Sequence, residues 1–119
     1  MITGLDHVQV AIPVGGESDA REYYGAVLGM QEVPKPPALA ARGGCWFVSG
    51  NAVLHLGVEE PFAPARKAHP AFLVTDLDAL ADVLGSSGRE VTHSDGELPG
   101  IRRFHTFDPF GNRLEFQQV

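Results

Sequence analysis

The order of elements along this chain runs twice, and the duplication limits the fold more than any other feature. "LDHVQVAIP" alternates Val8, Val10 and Ile12 with His7, Gln9 and Ala11, the pattern of a half-buried strand. In "ESDAREYYGAVLGM", Ala20, Tyr23, Tyr24, Val27 and Leu28 fall on one helical stripe. Ser18 or Asp19 is the expected N-cap of that helix and Gly29 its stop. A loop holding Pro34, Pro36, Pro37, Gly43 and Gly44 follows, and then "CWFVSG" and "AVLHLGVE" read as strands turned at Gly50-Asn51.

The second half repeats the order. "HPAFLVT" is a strand, and "DLDALADVLGSSG" is a helix capped by Asp76 with Leu77, Leu80, Ala81 and Leu84 on its buried side. "REVTHSD" reads as a short strand. "IRRFHTFD" and "NRLEFQQV" form a hairpin about Asp108-Pro109-Phe110-Gly111. "EEPFAPARKA", rich in Pro and Ala, is the expected linker, at residues of about 59–68. The expected organisation is one domain over residues 1–119, of class α+β, made of two βαβββ modules. Module one covers about 3–60 and module two about 69–119. Neither half carries enough apolar residues for a core of its own, so the two are expected to pack together.

Polar residues recur with the strands. His7 lies in the first strand of one half and His69 opens the first strand of the other; His55 lies in the last strand of one and Glu115 in the last of the other. His55 is opposite in parity to Leu54, Leu56 and Val58, and His69 to Phe72 and Val74. If helices cover the aliphatic faces, all four polar side chains turn to the other face. Three imidazoles and a carboxylate suit a divalent first-row metal, with room left for water or substrate. Of the remaining polar candidates, Arg102 and Arg103 alternate on the hairpin, which turns one of them, taken as Arg103, to the same face as a substrate anchor. Trp46 and the loop residue Arg42 are further candidates for substrate binding, and His105, ten residues before Glu115, for acid–base work.

Composition excludes several classes. The net charge is −6 with no long basic run, which speaks against nucleic acid and anionic membrane partners. No apolar run has the length of a membrane span, and no secretory leader is apparent. The single cysteine, Cys45, cannot form an intrachain disulfide and reads as a small buried hydrophobe. A cytoplasmic location is the expectation.

The motifs "DHVQVAI", "YYGAVLGM", "HPAFLV" and above all "DPFGNRLEF" give the chain its family likeness. It resembles the vicinal oxygen chelate superfamily, which includes glyoxalase I, fosfomycin resistance proteins, bleomycin resistance proteins and extradiol dioxygenases. The resemblance implies an open, cup-shaped mixed sheet with helices on its outer face. It also implies a divalent ion (Fe, Zn, Ni, Mn or Co) at the positions of His7, His55, His69 and Glu115, a small oxygenated substrate, and a homodimer. Glyoxalase-like isomerase or lyase chemistry is the first expectation, with Glu115 or His105 moving the proton. Ring cleavage with ferrous iron, or sequestration of a ligand without chemistry, are the alternatives. Glyoxalase I-like proteins carry Glu where this chain has His55, Arg where it has Ala11 and Asn where it has Glu59, which speaks against glutathione as a co-substrate.

Overall fold

The structure, a computed structural model, describes residues 1–119. It divides into two compact units, Met1–Pro64 and Ala65–Val119. No helix is long and apolar enough to cross a membrane.

The first unit contains β1 (Val8–Ile12), α1 (Glu17–Ala20), β2 (Gln31–Val33), α2 (Pro37–Ala40), β3 (Cys45–Ser49) and β4 (Ala52–Val58). Its sheet has the order β1-β4-β3-β2. β1 runs parallel to β4, as a helical crossover between them requires, and the other pairs are antiparallel. β3 and β4 are joined by the two-residue turn at Gly50-Asn51, where Gly50 takes the positive φ such a turn needs.

The helix differs from its sequence reading at the start. Glu17 opens it, Gly16 is the N-cap, and no side chain caps it, in place of the expected Ser18 or Asp19. A turn closed by Gly16 N–H to Pro13 O brings the chain into helical geometry early. The Glu17 carboxylate instead accepts the N–H of Gly44 at 2.8 Å. From Arg21 to Val27 the helix winds as a π-helix, with Leu28 N–H bonded to Tyr23 O. Ala20, Tyr23 and Tyr24 are fully buried, and Tyr24 packs on Phe47 of β3 with ring centroids 6.1 Å apart. Val10, Ile12, Cys45, Leu54 and Leu56 complete this core. Burial raises the Cys45 thiol to about 11, so it stays protonated and packs as an apolar group.

Two elements fall within or beside the proline-rich loop. β2 is too short to show an alternation, and α2 is a single turn that starts on Pro37, a residue preorganised for a first helical position.

The second unit contains β5 (Ala71–Val74), α3 (Leu77–Ser86), β6 (Thr92–His93), β7 (Arg103–Phe107) and β8 (Arg113–Gln118). Its sheet order, β5-β8-β7-β6, repeats that of the first unit strand for strand. Asp76 caps α3 as expected, its Oδ1 accepting the N–H of Ala79 at 3.0 Å. Leu77 and Leu84 are buried, with Phe104, Leu114 and Phe116 from the sheet. The amide of Gln118 ties β8 to the helix start by accepting the N–H of Leu77. The β7–β8 turn is built around Asp108: Oδ1 accepts from Phe110 N–H and Asn112 N–H, both at 2.9 Å, and Oδ2 accepts from Asn112 Nδ2. Asn112 Oδ1 in turn accepts the N–H of Ala65. The "DPFGN" stretch is therefore a turn-building device that fixes the register of the strand carrying Glu115.

Candidate functional site

In each unit one face of the sheet is apolar and meets the helix, and the other carries polar side chains. The register makes the two polar faces equivalent. His55 on β4 lies opposite Gln9 on β1 and opposite Trp46 on β3. Glu115 on β8 lies opposite Ala71 on β5 and opposite His105 on β7. His7 precedes Gln9 by two residues and His69 precedes Ala71 by two, so each shares the face of the residue opposite.

In the second unit the polar side chains converge on one buried carboxylate. Glu115 Oε1 receives His69 Nε2 at 2.9 Å, His105 Nε2 at 3.0 Å and Arg103 Nη1 at 3.2 Å. Its Oε2 accepts from Gln117 Nε2 at 2.6 Å. Burial alone raises the carboxyl, but the hydrogen bonds from Gln117, His69 and Arg103 outweigh that and hold it at about 2. The donor atoms of His69, His105 and Glu115 lie within 4.8 Å of one another.

The donor set fits a metal ion, and His69 carries the test. Its Nδ1 faces the carbonyl of Lys67 at 2.9 Å while Nε2 faces the Glu115 carboxylate. A neutral imidazole has one N–H, so the second acceptor is satisfied by an added proton or by a cation in its place. A backbone carbonyl on the far nitrogen is the arrangement that fixes the tautomer of a ligating histidine. Two ligands at about 2.1 Å from one ion, at right angles, are about 3 Å apart, close to the separations seen here.

His105 differs from His69. No partner holds its Nδ1, and its pKa is lowered, first by burial and then by the charge of Arg113, against the pull of Glu115. Arg103, the arginine expected on this face, reaches Glu115 with one arm and Glu97 Oε2 with the other at 3.1 Å. Its Nε is buried without a hydrogen-bond partner. Arg102 turns away and pairs with Asp78 of α3 at 2.7 Å.

The first unit holds a column of rings. Trp46 stacks on His55 with centroids 3.7 Å apart and planes 2° from parallel, and His7 stacks on His55 at 3.9 Å. His55 is buried, and burial, with a smaller contribution from His7, lowers its pKa, which keeps the ring neutral and its lone pair available. His7 Nδ1 lies 2.8 Å from Asp6 Oδ1, so the histidine that leads each first strand has its Nδ1 tied by an acceptor. Arg42 is exposed in the loop after α2.

Sequence reasoning missed Gln117 and Lys67. Gln117 was legible in principle, since it shares parity with Glu115 on one strand. Lys67 acts through its backbone oxygen, which leaves no mark in the side-chain pattern.

A four-stranded mixed sheet with its first strand beside its last, built twice and carrying polar residues at matched register, defines a protein of the vicinal oxygen chelate class. The chain belongs to the Glyoxalase/Bleomycin resistance protein/Dioxygenase superfamily, whose profile matches residues 4–116. It is similar to a glyoxalase family protein of Bacillus anthracis, at 52% identity and a TM-score of 0.93, over 99% of this chain and 96% of that one. It shares the fold of a glyoxalase/dioxygenase from Nostoc punctiforme, at 22% identity, TM-score 0.71, over 92% and 88% of the two chains. It also shares the fold of the fosfomycin resistance protein FosX of Listeria monocytogenes, at 13% identity, TM-score 0.76, over 100% and 95%. A search of curated proteins returns no match.

Proposed function

We propose that the chain is a divalent-metal-dependent enzyme acting on a small oxygenated molecule, with isomerase or lyase chemistry, its ion taken by His69 and Glu115 together with His7 and His55. The observation that carries the reading is His69, held at Nδ1 by Lys67 O and aimed at Glu115 by Nε2. The matching Nδ1 contact of His7 to Asp6 and the shared register of His55 and Glu115 support the wider ligand set. The bound ion supplies Lewis acidity to the substrate's oxygens. Glu115 contributes negative charge and, with its carboxyl held so low, is a poor proton acceptor. His105 donates its Nε2–H to the Glu115 carboxylate, which leaves the lone pair on Nδ1, so the ring has one nitrogen that gives a proton and one that accepts it. Arg103, part-buried beside the carboxylate, offsets negative charge on the substrate.

A second reading follows from the convergence of His69, His105 and Glu115, which matches the two-histidine, one-carboxylate set of non-haem iron oxygenases. There His105 is a ligand, and the chemistry is ring cleavage. Equilibrium dialysis of Mn, Fe, Co, Ni and Zn into the wild type and the His7→Ala, His55→Ala, His69→Ala, His105→Ala and Glu115→Gln variants separates the two. The first reading expects loss of metal in every variant except His105→Ala. The second expects loss in His105→Ala, His69→Ala and Glu115→Gln alone. A wild type that takes up no metal overturns both and leaves a ligand-sequestering protein. The small-molecule substrate then follows from a screen of the loaded protein, in which homodimer formation and a cytoplasmic origin are working expectations.

A further inference from the structure

The first unit contains a cavity of about 280 Å³, lined among others by Gln9, Lys35, Leu39, Arg42, Trp46 and Val58. Its size lies at the lower end of small-molecule sites, ~300–1,000 Å³, which suits a compact molecule and not a peptide. Two cations border it in a chain whose net charge is −6. Arg21, Arg102 and Arg103 all sit in ion pairs, whereas neither Lys35 nor Arg42 does. Lys35 is held in place by donating to the carbonyl of Gly43, which leaves two of its three N–H groups for a ligand. Glu17, whose carboxylate feels the charge of Lys35, accepts the N–H of Gly44 and is not part of the lining.

The rest of the lining includes apolar side chains. Leu39 and Val58 supply aliphatic surface and Trp46 its planar indole, which stacks on His55. Gln9 lies across Gly57, where a Cβ would come within 2.6 Å of its Nε2, so the absence of a side chain at Gly57 is what lets the amide rest at the cavity.

We propose that this cavity binds the oxyanion head group of a small molecule with a flat apolar body, the anion on Lys35 and Arg42 and the body against Trp46. Through the Trp46–His55 stack the bound body lies one ring away from a candidate metal ligand. The inference rests on the metal-enzyme reading for calling this molecule the substrate; binding itself does not depend on the metal.

Trp46 is the sole tryptophan, so its emission reports the cavity directly. The test uses full-length, metal-free protein titrated with benzoate, with its neutral isostere benzamide, and with inorganic phosphate as competitor. Benzoate is expected to change the emission saturably, benzamide to bind about tenfold more weakly or worse, and phosphate to displace benzoate. Lys35→Met and Arg42→Gln are expected each to weaken benzoate by about fivefold or more while leaving benzamide unchanged. Both residues lie in a loop segment outside the core, and circular dichroism checks that each variant is folded. Benzamide binding as tightly as benzoate, both variants keeping the parent affinity, phosphate failing to displace benzoate, or no saturable signal overturns the proposal. Failure here with metal uptake intact refutes the anion site alone, and benzoate binding without metal uptake refutes the metal reading alone.

Discussion

His105 and Glu115 stand opposite one another across the β7–β8 ladder, with Nε2 and Oε1 3.0 Å apart. Trp46 and His55 hold the corresponding positions across β3–β4. The duplicated framework thus carries a proton-bearing pair in one unit and a stacked aromatic pair in the other. The backbone is repeated, and the side chains divide the work.

Replacing His105 with Ala is expected to leave metal content at the wild-type level and to lower turnover, once a substrate is found, by about a hundred- to ten-thousand-fold. Metal analysis beside steady-state rates reads both. Loss of the ion in step with loss of activity makes His105 a ligand and moves the chemistry towards oxygenation.

Glu115 links stability to pH in the metal-free protein. Its carboxyl lies at about 2, against an ordinary value of 4.5, so the folded state binds the proton less readily than the unfolded chain. That stabilisation is complete above the unfolded value and disappears as pH falls from about 4.5 towards 2, an amount of about 3 kcal/mol. Urea melts of the wild type and of Glu115→Gln should differ most near neutral pH and converge towards pH ~2.5. A gap that stays constant across that range would falsify the assignment.

How much of this was legible beforehand depended on whether a signal lies in side-chain pattern. The duplication, the hairpin about Asp108–Gly111 and the Asp76 cap were readable, because each rests on residue types whose backbone preferences are strong. Arg103, the arginine taken for the polar face, stands there at the start of β7 and reaches Glu115. β2 was invisible because three residues cannot display a period of two. Glu17 as the opening helical residue was hidden by a turn whose bond is made by backbone atoms of Pro13 and Gly16. In the site, His69, His105, Glu115 and Arg103 gather as parity required. The acceptor that orients His69 is a main-chain oxygen, which no residue pattern announces.

Assembly gives another test. Within its own unit each of β1, β2, β5 and β6 has only one neighbouring strand, which leaves an edge of unpaired backbone groups. Leu73 on β5 is exposed, as are Ile2 and Leu5 ahead of β1. Multi-angle light scattering at micromolar concentration should therefore report twice the 12.8 kDa of one chain. A mass of one chain across that range removes the homodimer from the reading.

The last prediction concerns the loop that carries Arg42 to β3. Gly44 has φ +81°, and a Cβ there would come within 2.1 Å of the carbonyl oxygen of Leu56. The obstacle is main chain on β4, which cannot move aside without breaking its pairing with β1. The Gly44 N–H also donates to Glu17, so the same residue joins the start of α1 to the entry of β3. Gly44→Ala combines backbone strain with this overlap, and each is worth about 1–3 kcal/mol. The variant is expected to lose at least ~2 kcal/mol in urea melts, with the denaturant slope unchanged. Gly50→Ala, also at positive φ but with nothing within 4 Å of the added carbon, should lose only the strain share. Equal losses at the two sites would show that the close approach to Leu56 adds no cost, and that strain alone sets the requirement for glycine.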